Sequence, residues 1–157
     1  MGLSIDFSKL QPQDVLDLAM FAEREAKGYY EQLASWMTSR GNLEAAQFFA
    51  RMAGWEQAHE DQIARRRAEL YPDAPAGLAD RAAWDLELPD LAKADTAQTH
   101  REVLTIAIEA ETNAYEYYSA ALEQNVAPNV EALFEELRQA ELGHQRLLQL
   151  ELARLPA

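Results

Sequence analysis

Apolar and polar positions recur with helical spacing in four long segments, and no stretch alternates with a period of two for long enough to read as a strand. The first segment spans about 12–40, with Pro12 suited to a first turn and Gly41 to a C-cap. Asn42 then caps a second helix over about 43–70, which Tyr71-Pro72 stops. Pro72, Pro75, Gly77 and Pro89 mark 71–95 as a long connection, with one short helix around 78–84. Asp95, with Gln98 three residues on, predicts the cap of a third helix over about 96–125. Pro128-Asn129 separates it from a fourth, about 130–154. Loops of a few residues force each pair into an antiparallel hairpin. The expectation is a single all-α domain over 1–157: an antiparallel four-helix bundle made of two helical hairpins joined by a long crossover.

The hairpins read as copies. Ala19–Tyr30 aligns with Ala107–Tyr118 at an offset of 88, and six of the twelve positions are identical. The second and fourth helices align at an offset of 85, matching Phe49 with Phe134, Glu56 with Glu141 and His59 with His144. Internal duplication is the simplest account.

Heptad spacing places Leu16, Ala19, Glu23, Ala26, Tyr30, Leu33 and Met37 on the inner seam of the first helix. The second contributes Phe49, Met52, Glu56, His59 and Ile63. The third gives Leu104, Ala107, Glu111, Ala114, Tyr118 and Ala121, and the fourth Phe134, Leu137, Glu141, His144 and Leu148. One polar layer interrupts this apolar seam. It holds a lone Glu on the first and third helices and Glu-x-x-His on the second and fourth. The layer is level: Glu23 lies 18 residues before Gly41, while Glu56 and His59 lie 15 and 18 after it. At ~1.5 Å per residue, all three come to one height. Glu111, Glu141 and His144 match in the same way around Ala127.

Four buried carboxylates would cost several kcal/mol each without compensation. Two divalent cations would balance their charge. A Glu from each of two helices plus Glu-x-x-His from each of the others is the di-iron or di-manganese carboxylate pattern, and its mixed donors also admit zinc. Tyr30 and Tyr118, two turns beyond the layer, are candidates to act beside the ligands, whereas Tyr29 and Tyr117 read as packing residues. Glu25, Glu60, Asp61, Glu109, Glu135 and Glu136 read as solvated charges, with Glu60, Asp61 and Glu109 close enough to orient a ligand. His100, with Ala97 at the −3 position, reads as a surface histidine near a helix start.

Composition narrows the chemistry. The chain has no cysteine, so any metal must bind through oxygen and imidazole nitrogen. That also fits a cytoplasmic location. The net charge of −13 argues against a nucleic-acid surface. No window approaches the ~18 apolar residues of a membrane span, and the first ten residues do not predict a secretion signal. Trp36, Trp55 and Trp84 fall off or near the edge of the seam, where bundles pair, which predicts a homodimer.

Glu23-x-x-Ala26-x-x-Tyr29-Tyr30, Glu56-x-x-His59, Glu111-x-x-Ala114-x-x-Tyr117-Tyr118 and Glu141-x-x-His144 together resemble the rubrerythrin branch of the ferritin-like superfamily. The resemblance implies two iron ions, with manganese or zinc as substitutes. Glu23 and Glu111 would be terminal carboxylates, and Glu56 and Glu141 bridges. His59 would join Glu23 on one iron and His144 would join Glu111 on the other. It further implies reaction of a di-ferrous centre with H2O2 or O2, with iron storage or handling as an alternative. A bundle kept only as a non-catalytic binding module is the third expectation. Two features depart from the family pattern. There are no cysteines for a rubredoxin centre, so an external electron donor is expected. Ala114 also stands where rubrerythrins carry an extra Glu after the third-helix ligand.

Overall fold

Capping residues or a first-turn proline start each helix. The computed structural model describes Phe7 and residues 10–74, 99–124 and 127–156. Four helices carry it: α1 (Pro12–Ser39), α2 (Leu43–Leu70), α3 (His100–Glu123) and α4 (Pro128–Arg154). No strand occurs among the described residues. At the start of α1 the Gln11 amide donates to Asp14 Oδ2 at 2.8 Å, and Pro12 occupies the first turn. Between α1 and α2, Gly41 adopts a φ of +76°, a left-handed conformation glycine reaches without a Cβ clash. Asn42 Oδ1 then accepts from the Ala45 amide at 3.1 Å and caps α2.

The third helix begins later than the pattern predicts. Thr99 has extended backbone and its Oγ1 accepts from the Glu102 amide at 3.0 Å, so α3 starts at His100. Asp95 and Gln98, the expected cap pair, lie outside the described residues, as do the short helix at 78–84 and Trp84. The fourth helix begins two residues earlier than expected, because Pro128 enters its first turn rather than preceding it.

The described residues form two compact units, α1 with α2 and α3 with α4, the latter including Phe7. Within the first hairpin, Leu16, Ala19, Tyr30, Leu33, Met37, Phe49, Met52 and Ile63 are buried, as the seam predicts. Within the second, Leu104, Ala107, Tyr118, Ala121, Phe134, Leu137 and Leu148 are buried. Three seam positions depart from expectation: Ala26, His59 and Ala114 are only half-buried. Aromatic rings fill the next layer. Tyr30 stacks on Phe49 at 6.2 Å in the first hairpin, and Tyr118 meets Phe134 edge-on at 5.0 Å in the second. Tyr29 and Tyr117 are each 1% exposed and act as packing residues, with Phe7 stacked on Tyr117 at 5.8 Å. No helix among the described residues is long and apolar enough to cross a membrane.

Candidate metal centre

Each hairpin brings its own three donors together. On α2 the i, i+3 spacing puts Glu56 and His59 on one face, and α1 presents Glu23 to that face. His59 Nδ1 lies 3.4 Å from Glu23 Oε2 and 3.7 Å from Glu56 Oε2. In the second hairpin His144 Nδ1 lies 3.5 Å from Glu111 Oε2 and 3.7 Å from Glu141 Oε2. Within either set, one ligand atom of each residue is within 4.8 Å of the other two. The two triads therefore share one geometry to a few tenths of an ångström.

Burial sharpens the point. Glu23, Glu56, Glu111 and Glu141 are 1–3% exposed, and His144 is 6% exposed. His59 is slightly more open, with 13% of its side chain exposed. Carboxylates this deep are tolerable as anions only beside positive charge. The Nδ1–carboxylate separations are too long for good hydrogen bonds. They suit donors that face a common cation about 2 Å from each of them. Carboxylate oxygen with imidazole nitrogen is a donor set that iron, manganese and zinc all accept. The residues present thus fit a divalent metal in each hairpin.

A family model described as rubrerythrin matches residues 14–152. The chain belongs to the rubrerythrin family. Among solved structures, an uncharacterised conserved protein from Magnetospirillum magnetotacticum MS-1 aligns with a TM-score of 0.77 at 25% identity. The alignment covers 94% of this chain and 97% of that one. A bacterioferritin from Rhodobacter capsulatus, described with a metal-free dinuclear site and haem iron, aligns at 0.74 and 21% identity, covering 96% and 87%. A protein from Thermotoga maritima named as ferritin-like and diiron-carboxylate aligns at 0.69 and 21%, covering 92% and 96%. Comparison with curated proteins gives no match. The fold is the ferritin-like four-helix bundle, and with no cysteine this rubrerythrin-family chain builds no rubredoxin centre.

Several polar residues have contacts or burial that the sequence pattern did not predict. Asp17 is 5% exposed on α1 and pairs with Arg67 of α2, whose Nη2 reaches Asp17 Oδ2 at 3.2 Å and whose Nε bonds Oδ1. Glu60, expected to be solvated, is half-buried and accepts from Arg24 Nε at 2.7 Å. His100 is half-buried rather than on the surface. Burial pushes its imidazole below the ordinary value, and Glu151 partly offsets this. Burial also pushes the Tyr29 phenol up, so it stays protonated.

Proposed function

We propose that this rubrerythrin-family protein binds two iron ions through Glu23, Glu56, His59, Glu111, Glu141 and His144 and works as a di-iron oxidoreductase acting on H2O2 or O2. The observation that carries the reading is the pair of matched, buried Glu–Glu–His triads, with Nδ1 facing both carboxylates at 3.4–3.7 Å in each hairpin. In this reading Glu23, Glu56 and His59 of the first hairpin and Glu111, Glu141 and His144 of the second would hold the two ions.

Bound as a ferrous pair, iron supplies the two electrons that peroxide reduction requires. The chain's own part is to position and to enclose. Four carboxylates set the charge of the site, and two imidazoles occupy fixed directions on the faces of α2 and α4. Tyr30 and Tyr118 hold the apolar wall two turns beyond the ligands, with their hydroxyls as candidate proton donors. Electrons for a second turnover come from an external donor, since the chain carries no thiol centre of its own. We further propose that the protein works in the cytoplasm as a homodimer, with Trp55, 41% exposed on α2, as a candidate contact.

Stopped-flow mixing of anaerobic, Fe(II)-loaded protein with H2O2, and separately with O2, tests the activity. The expected result is a near-ultraviolet absorbance rise with at least one oxidant, lost in Glu56→Ala and Glu141→Ala. An iron-loaded protein inert to both oxidants would count against the reading. The storage alternative has a different signature: many more than two irons per chain retained after oxidation.

A further inference from the structure

The two triads match in their ligands but not in the residues that follow them. In the first hairpin the residue after each ligand is polar: Arg24 follows Glu23, Gln57 follows Glu56 and Glu60 follows His59. These three connect to one another across α1 and α2. Arg24 Nε donates to Glu60 Oε2 at 2.7 Å, and Gln57 Nε2 approaches Glu60 Oε1 at 3.4 Å. Gln57 also donates to Asp61 Oδ1 at 2.9 Å. The offsets of 88 and 85 assign Thr112, Leu142 and Gln145 to the same places in the second hairpin. There Thr112 Oγ1 turns back to the Ile108 carbonyl at 2.8 Å, and Gln145 Nε2 reaches the Glu111 carbonyl at 3.5 Å. Leu142 has no polar side-chain atom to offer. Gln145 thus ties α4 to α3, but Thr112, Leu142 and Gln145 are all uncharged, so these positions form no ion pair.

We propose that Arg24, Gln57 and Glu60 are positioning residues that hold the Glu23–Glu56–His59 triad in register, which makes the two halves of the duplicated site inequivalent. Glu23 and His59 sit on different helices, so their separation changes with any sliding of α1 against α2. An ion pair between their immediate neighbours, tied to the neighbour of Glu56, opposes that sliding at the height of the ligands. In the second triad 8% of the His144 side chain is exposed against 13% for His59, and the neutral contact of Gln145 with the Glu111 carbonyl stands where the first hairpin has an ion pair. Arg24 is 59% exposed, so the brace acts in a screened setting, and its effect is modest and salt-sensitive.

This inference rests on the metal-binding reading, and its test separates the two. The protein has three histidines, so a proton–nitrogen correlation spectrum of the imidazoles reports His59 and His144 individually, with His100 as an internal control. Zinc is titrated in a chelator buffer into the full-length protein and into the variant Arg24→Thr, Gln57→Leu, Glu60→Gln, which carries the second hairpin's residues. The expected result is a shift of the His59 midpoint to about two- to fivefold higher free zinc, with a smaller shift at His144. The charge swap Arg24→Glu with Glu60→Arg should restore part of the His59 affinity. Added salt should weaken His59 binding in the parent more than in the triple variant. An unmoved His59 midpoint, or equal movement of both histidines, would overturn the inference while leaving metal binding intact. If neither imidazole responds to zinc in the parent protein, the metal reading itself fails.

Discussion

Gly41 and His100 are single residues whose local conditions set measurable quantities. Gly41 holds a φ of +76° between α1 and α2, and a Cβ there meets no neighbouring atom. The penalty for alanine is therefore one of backbone conformation alone. Gly41→Ala should cost about 1–2 kcal/mol of stability in denaturant unfolding, with the fold kept. His100 opens α3, where burial and the positive end of the helix both disfavour its charged form. Its folded-state pKa lies below the ordinary 6.5, so the unfolded chain takes up the proton first as pH falls. Stability from this group is complete above that value and is lost as pH drops through the folded one. An NMR titration should place His100 below 6.5, and Glu151→Gln should move it lower still, because the offsetting carboxylate is gone. A midpoint at or above 6.5 would contradict the burial argument.

At the scale of elements, the α1–α2 hairpin contains a charge pair that heptad reading passes over. Asp17 and Arg67 are 50 residues apart in sequence and meet only once the hairpin has formed. Both are largely shielded, with 5% and 12% of their side chains exposed. Removing one partner leaves the other buried without its countercharge. Arg67→Met should cost about 3 kcal/mol in equilibrium unfolding, and Asp17→Leu with Arg67→Met should recover much of that. A double variant whose loss equals the sum of the Asp17→Leu and Arg67→Met single losses would show that the pair is not coupled. The contrast with the ligands explains what was legible in the sequence. Helix existence, the seam and the six donors repeat at 3–4-residue spacing and recur at fixed offsets, so periodicity finds them. Glu60 and Asp17 carry no periodic signal. Their burial depends on which partner a neighbouring helix presents, a fact of register. The start of α3 was missed for a related reason: Thr99 is also a capping residue type, and its extended backbone and side-chain bond to the Glu102 amide, which no periodicity encodes, set the helix start.

For the molecule as a whole, four carboxylates at 1–3% exposure set stability against function. Metal bound to the folded chain alone stabilises it by mass action, about 2.7 kcal/mol at a hundred times Kd. Chelation of the metal-loaded protein should therefore lower Tm. Glu56→Leu should remove that response and raise the Tm of the metal-free form, because an apolar side chain replaces a buried anion. A chelator effect that survives in Glu56→Leu would place the stabilising ion elsewhere. The central claim, that Glu23, Glu56, His59, Glu111, Glu141 and His144 act together as one two-metal donor set, is tested most directly by anaerobic Fe(II) titration with equilibrium dialysis. The account predicts saturation at two irons per chain, falling below one in Glu56→Ala with Glu141→Ala. Saturation at zero in the parent, or at two in both proteins, would contradict it.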